Sequence, residues 1–127
     1  MGGPVDWSTK AIKVTCHSSA EAEVSAGCLC AKSLAYCRQV CVAVGFDIST
    51  PIIMLLDSEA AIAIGSNLGV TAKTAHFLRW QHYLRWCKLH GYINLVFMAG
   101  KRQLADAITK GVDTTLLRDF RRALYNA

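Results

Sequence analysis

The segment IMLLDSEAAI, residues 53–62, limits the possible folds of this chain more than any other stretch. Its apolar run, residues 53–56, predicts a short buried strand that ends at a carboxylate, Asp57. Small residues after Ser58 then indicate a helix. A half-buried carboxylate is costly unless it is paired or binds a cation, and ligands of open α/β sheets gather at such strand ends. Asp57 is therefore either a ligand at the strand end or the cap of the following helix.

The length and composition fit one domain, residues 1–127, with a substantial core, since 53% of the residues are hydrophobic. No apolar run approaches the roughly 20 residues of a membrane span, and the first residues resemble no secretory signal. Four of the six cysteines fall in one predicted helix, where disulfide geometry is rare. This predicts reduced core thiols in an intracellular, reducing compartment, cytoplasmic or nuclear; alternatively, Cys37 and Cys41 share a helix face and could contact a metal.

Charge is distributed unevenly along the chain. Residues 73–127 carry ten Lys or Arg and three Asp or Glu, a net of +7, whereas residues 1–72 carry four and six, a net of −2. This split indicates either a basic face that binds a polyanion or a solvated surface without a partner.

Hydrophobic periodicity predicts the order β-α-β-α-α-β-α-α, an α/β sheet flanked by helices. A strand is predicted at residues 11–16. A capping box of Ser18 and Glu21 begins a long, largely buried helix at residues 20–44, which stops at Gly45. The other predicted elements are the strand at 53–56, a helix at 58–64 ended by Gly65, a helix at 75–89 ended by Gly91, a strand at 92–97, a basic loop at 99–102, a helix at 103–109 and a C-terminal amphipathic helix at Thr114–Tyr125.

Helical spacing also predicts which side chains face inward. In the helix at 75–89 the predicted inner stripe is Phe77, Trp80, Leu84 and Cys87, and the predicted outer residues are Arg79, His82, Arg85 and Lys88. In the C-terminal helix the predicted inner residues are Leu116, Leu117, Phe120 and Leu124, and the outer ones are Arg118, Arg121 and Arg122.

Three acids occupy positions from which each could face the same strand end: Glu23, Asp57 and Asp106. Three converging carboxylates repel one another unless a cation lies between them. Mg²⁺, a hard ion that takes carboxylate, water and phosphate oxygens, suits such a set, and two such ions can promote phosphodiester hydrolysis. Glu21 competes with Glu23, but we assign Glu21 to the helix cap.

Four segments, in order, resemble the ribonuclease H domain at the C-terminal end of copia-type retrotransposon polyproteins. VDWSTKAIKVTCHSSAEAEV resembles a W-S-[ST]-K segment, a strand and S-S-x-E-A-E-[YV]. LLDSEAAIAI is similar to x-x-D-[NS]-x-[AS]-A-I, and TAKTAHFLRWQHYLR to T-K-H-x-x-x-R-x-H-[FY]-[IL]-R. QLADAITKG is similar to Q-L-A-D-x-x-T-K. The resemblance covers residues 7–111.

The resemblance implies a ribonuclease H-like sheet and hydrolysis of the RNA strand of an RNA·DNA hybrid with Mg²⁺ or Mn²⁺. It implies that Glu23, Asp57 and Asp106 are catalytic metal ligands. Basic and polar side chains would contact phosphates and 2′-hydroxyl groups. The nucleic-acid-binding residues that we expect are Lys73, Arg79, His82, Arg85, Lys101 and Arg102.

Some of these residues have plainer interpretations. His82 is either a substrate contact or a surface histidine, and Lys101 with Arg102 either holds the scissile phosphate or forms a solvated turn. Trp80, Tyr83 and Trp86 could stack on bases, although core packing is the better expectation for Trp80.

The chain also departs from the family pattern. The family's first strand carries D-x-D-W, and Asp6 does not occupy the place of its first catalytic Asp. We therefore expect the first strands and one metal ligand to be missing and the isolated chain to have little or no nuclease activity. The alternatives to an enzyme are a nucleic-acid-binding remnant and a structural subunit that joins a protein partner through its exposed sheet edge.

Overall fold

The computed structural model describes residues 6, 8–13, 15–67, 78–106, 111 and 113–125, apart from the side chain of Leu124. The chain divides into two compact units, residues 12–97 and residues 1–11 together with 98–127. The architecture is mixed α/β, as predicted. No helix within the described ranges is long and apolar enough to cross a membrane.

Residues 12–97 contain three helices and two strands in their described part. In chain order they are α1 (Ser19–Ala43), β1 (Ile52–Leu56), α2 (Glu59–Ser66), α3 (Leu78–Leu89) and β2 (Ile93–Phe97). The other unit contains a 3₁₀ helix (Gly100–Arg102) and α4 (Thr114–Tyr125) in its described residues.

The predicted ends of α1 and α3 are confirmed. Ser18 Oγ accepts a hydrogen bond from the Glu21 backbone N–H at 3.1 Å, which caps the start of α1. Gly45 and Gly91 follow the two helices at φ values of +95° and +69°, where a Cβ is disfavoured. The next residue then closes each helix end, because Phe46 N–H donates to the Cys41 carbonyl at 3.0 Å and Tyr92 N–H to that of Cys87 at 2.9 Å.

The sheet is a parallel pair. β1 and β2 pair in register from Ile52 opposite Ile93 to Leu56 opposite Phe97. The strands predicted at 53–56 and 92–97 are therefore confirmed. The strand predicted at residues 11–16 is wrong, because none of its described residues is in a strand. Ile12 is 38% exposed there, so the segment gains little burial, and an extended segment needs a hydrogen-bonded neighbour to be stable.

One face of the sheet packs on a core to which all five elements of residues 12–97 contribute. Alternate residues Met54 and Leu56 of β1 are buried, whereas Ile53 is 63% exposed. The buried hydrophobic residues are Val24, Cys28, Ala31, Met54, Leu56, Ala61, Leu84, Cys87, Ile93 and Leu95.

The second half of α1 is not buried, contrary to the prediction. Its buried residues all lie between Glu21 and Ala31, whereas Tyr36 is 68% exposed and Val42 54% exposed. The reason is length, because a 25-residue helix spans about 37 Å. A five-residue strand spans only about 17 Å, so the sheet covers half of the helix.

The prediction that Gly65 ends α2 is wrong. Gly65 lies buried inside the helix. A Cβ on Gly65 would lie 2.9 Å from Leu95 Cδ1, too close for an unshifted contact. The glycine therefore permits α2 to approach β2, and the helix ends after Ser66. The absence of a side chain serves packing here rather than a turn.

α3 buries a wider face than predicted. Leu84 and Cys87 are buried as expected and Trp80 packs half-buried against the core, but Gln81 and Arg85 are buried too, so the outward placement of Arg85 is wrong. α3 packs against α1, α2 and β2, and this encloses more than one narrow stripe. The predicted residues 75–77 lie outside the described part of the chain.

The bounds of α4 agree with the predicted C-terminal helix. Asp113 caps it, since its Oδ1 accepts from the Leu116 N–H at 2.8 Å. Arg118, Arg121 and Arg122 are exposed as predicted, but Leu117, expected to face inward, is 45% exposed. Of the helix predicted at 103–109, residues 107–109 lie outside the described part, and residues 104–105 form a turn.

Neighbouring residues of β1 provide a direct test of this packing. We expect Met54→Ala to lower the free energy of unfolding by about 2–5 kcal/mol, because it removes a buried side chain and leaves a cavity. Ile53→Ala, on the exposed face, should change it by about 0.5 kcal/mol or less. Urea unfolding followed by circular dichroism measures both values, and equal losses would contradict the one-sided core.

Candidate functional site

Asp57 follows the last residue of β1 and is half-buried. It is not the cap of α2, because Ser58 fills that position and its Oγ accepts from the Ala61 N–H at 3.1 Å. The plainer interpretation of Asp57 is thus wrong. Its carboxylate stands where the parallel strand ends, the location at which α/β sheets bind ligands.

The two acids at the start of α1 have different surroundings. Glu21 is 3% exposed, and its Oε2 accepts from the His17 backbone N–H at 2.7 Å. Its assignment to the helix cap is confirmed, although the side chain returns to His17 rather than to Ser18. Glu23 is half-buried and, two residues further on, lies on nearly the opposite side of the helix.

α1 runs in the direction opposite to β1. A Cβ on Gly27 would lie 3.2 Å from Met54 Cε and 3.8 Å from Leu56 Cδ2, within β1. Further along α1, the Arg38 guanidinium donates to the carbonyls of Ile48 at 2.5 Å and Thr50 at 3.1 Å, which precede β1. The first turns of α1 therefore lie toward the end of β1 that leads into Asp57.

Asp106 belongs to the other compact unit, residues 1–11 with 98–127. It is half-buried, and its backbone N–H donates to the Gln103 carbonyl at 3.1 Å, shortly after the 3₁₀ helix. The distances between its carboxylate and those of Glu23 and Asp57 stay a prediction.

Carboxylate oxygens are suitable ligands for Mg²⁺ or Mn²⁺, so the donor chemistry fits the implied ions. Within the described part of the chain, no three His, Cys, Asp or Glu side chains form a group that could hold a metal ion. The described residues therefore form no complete ligand set, and Glu23, Asp57 and Asp106 remain candidates by their positions.

The expected nucleic-acid contacts divide by exposure. Exposed members of the set are Arg79, His82, Lys101 and Arg102. Arg85 is only 5% exposed, so its guanidinium cannot reach a phosphate without repacking of α3. Lys73 lies outside the described residues.

Residues 12–97 carry an aromatic surface, of which the sequence indicated Tyr83 and Trp86 but not Tyr92 and His90. The Trp86 ring stacks on that of Tyr92 at a centroid distance of 5.3 Å and lies 4.6 Å from the His90 ring. The Tyr83 and Trp86 rings are also stacked, with their centroids 6.4 Å apart. The helical spacing of Tyr83 and Trp86 could suggest one contact, whereas Tyr92 joins the group only through the turn at Gly91.

Comparison with known proteins gives one distant relationship. The chain is 24% identical over 117 residues to the retrovirus-related Pol polyprotein from transposon RE1 of Arabidopsis thaliana. The match covers 92% of this chain and 8% of that polyprotein, so the chain spans a small part of its relative's length. No family model matches the chain. No solved structure matches it either. The similarity supports an origin in a retrotransposon Pol polyprotein.

Two buried thiols lie in the core to which α1 and α3 contribute. Burial raises the pKa of Cys28 and of Cys87 above the ordinary 9.0. Burial, with a hydrogen bond to Cys87, raises the pKa of Tyr83 to about 12. These groups are neutral at physiological pH, so the two thiols are poor nucleophiles. None of the six cysteines forms a disulfide, but Cys30 is exposed, so the predicted core burial fails for it.

These pKa shifts predict alkaline destabilisation. The folded state keeps the three groups protonated above the pH at which the unfolded chain loses their protons. Their contribution to the unfolding free energy should therefore be constant below about pH 9 and fall toward pH 12. Urea unfolding from pH 7.5 to 11 measures it. Tyr83→Phe should make the fall above pH 10 shallower, and a flat profile would contradict the assignment.

Proposed function

We propose that this chain is a ribonuclease H-type domain of a copia-type retrotransposon Pol polyprotein. In the intact enzyme it would bind RNA·DNA hybrids and hydrolyse their RNA strand. The similarity to a transposon Pol polyprotein over 92% of the chain supports the origin. The observation that carries the activity is the placement of Asp57 at the end of a parallel strand that is buried on one face, with Ser58 rather than Asp57 capping the next helix.

A second acid approaches the same strand end in this proposal. The opposite directions of α1 and β1 bring the first turns of α1, which include Glu23, toward the C-terminal end of β1. Glu21 accepts a hydrogen bond from the His17 backbone N–H, and we assign the ligand role to Glu23, as the resemblance implies. The resemblance implies the same role for Asp106. A divalent ion bound by these carboxylates would neutralise charge on the scissile phosphodiester.

Exposed basic and polar side chains would contact the hybrid. Arg79 and His82 project from α3, and Lys101 and Arg102 lie on the 3₁₀ helix and its end. Such side chains neutralise phosphates without reading sequence, as suits an enzyme that acts on hybrids of any sequence.

Cleavage by the isolated chain should be weak. Two-ion hydrolysis needs ligands that fix both ions and their spacing, and three carboxylates would hold the second ion poorly. We expect little or no cutting of a labelled RNA·DNA hybrid in Mg²⁺ or Mn²⁺, together with weak Mg²⁺ binding by calorimetry that Asp57→Asn abolishes. Asp47→Asn, which removes an exposed acid of a loop, is the matched control and should leave Mg²⁺ binding unchanged.

Two results would count against these expectations. Efficient cutting that Asp57→Asn abolishes would show that three carboxylates suffice for hydrolysis. Mg²⁺ binding that is insensitive to Asp57→Asn, or equally sensitive to Asp47→Asn, would remove Asp57 from the proposed site.

The sheet also favours a second candidate function, a non-catalytic interaction subunit. Parallel sheets are normally covered on both faces, yet Ile53, Leu55 and Val96 leave one face apolar and 36–63% exposed. A protein that covered this face would complete the sheet and bury these side chains.

Self-association provides the test of this second candidate. We expect the wild-type chain to associate as its concentration rises, since the apolar face can bury itself against another copy. Ile53→Lys should shift sedimentation toward the monomer without lowering thermal stability, because position 53 is exposed in the single chain. A wild-type chain that sediments as a monomer throughout would argue for the enzyme-derived function alone.

A further inference from the structure

Four rings form a continuous stack on the surface of residues 12–97. Tyr83, Trp86 and Tyr92 lie with interplanar angles of 22° and 19° between successive rings, and His90 is inclined by 30° to Trp86. Trp86, at the centre of the stack, is 46% exposed. Nearly half of the Trp86 side chain is thus accessible to a ligand from solvent. We call these four residues the aromatic stack.

Cations from α1 lie over the two tyrosines of the stack. Lys32 Nζ is 5.5 Å from the centroid of the Tyr83 ring, and Arg38 Cζ is 5.6 Å from that of Tyr92. Arg38 is held in place by the carbonyls of Ile48 and Thr50. The stack therefore lies beside one fixed guanidinium and one exposed ammonium group.

The surrounding helices lack negative charge. Residues 24–46 and 78–97 contain no Asp or Glu. The same two stretches contain five cationic residues: Lys32, Arg38, Arg79, Arg85 and Lys88. Burial also keeps the Tyr83 phenol protonated. The acids that border the first stretch are Glu23, in α1, and Asp47, in the loop after it. This surface is therefore complementary to an anionic ligand that carries flat rings.

We propose that the aromatic stack binds single-stranded nucleic acid, with a base stacked on Trp86 and phosphates beside Lys32 and Arg38. Aromatic side chains hold unpaired bases of any sequence in this way, and nearby cations follow the backbone. Tyr92 precedes β2, whereas Asp57 follows β1, and the strands are parallel. The stack therefore lies at the end of the sheet opposite to Asp57. The site is distinct from the proposed hydrolytic one and does not depend on it.

Fluorescence anisotropy with a labelled 20-nucleotide oligo-dT tests the proposal. Trp86→Ala should weaken binding by roughly 5- to 150-fold, the loss expected for one stacked base, whereas Trp86→Phe should retain most of the affinity. The affinity falls as salt rises, and Lys32→Gln should make the slope of log affinity against log salt less negative by about 0.7, since one phosphate contact is lost. Leu89→Ala, which changes an exposed apolar residue on the same helix, should leave binding unchanged.

Three results would overturn the proposal. The first is a wild-type chain that does not bind oligo-dT at low salt. The second is equal affinity of wild-type and Trp86→Ala proteins with equal thermal stability. The third is loss of inorganic polyphosphate binding in Trp86→Ala to the same extent as oligo-dT binding, because polyphosphate has charge but no bases. If Trp86→Ala does not fold, a folded Trp86→Phe protein without affinity for oligo-dT contradicts the stacking role equally well.

Discussion

The parallel pairing of β1 with β2 is the interaction on which residues 12–97 depend. Parallel strands cannot be joined by a tight turn, so the chain from Asp57 to Tyr92 must return along the sheet before the second strand begins. The described part of that return includes α2 and α3. α2 lies so close to β2 that a Cβ at position 65 would force the Leu95 side chain to shift, and α3 brings Leu84 and Cys87 into the core.

The same pairing gives the sheet two chemically different ends. Both strands end on one side, where Asp57 and the first turns of α1 are found. Both begin on the other side, where the Ile52 N–H donates to the Tyr92 carbonyl and Arg38 lies over the Tyr92 ring. Acids thus mark one end of the sheet, and aromatic rings with a guanidinium mark the other. A polyanion would meet repulsion near the acids unless cations were present, and attraction at the opposite end.

Local signals in the sequence predicted the local features of the fold. The cap at Ser18, the glycines after α1 and α3, and both strands of the sheet follow from neighbouring residues alone. Features that depend on distant contacts were missed: the burial of Arg85 results from three elements packing around α3, and the role of Gly65 from Leu95. For the candidate site, the sequence identified Asp57, but only the structure excluded it as a helix cap.

Chemical modification of cysteines can measure how often the core of residues 12–97 opens, because none of the six forms a disulfide. Cys30 is exposed two residues from Cys28, which is buried with Cys87 where α1 and α3 contribute to one core. An alkylating reagent at neutral pH would therefore modify Cys30 in the native protein and reach the other two only when the helices separate. The slow phase of thiol modification would report how often this core opens, without any ligand, substrate or denaturant.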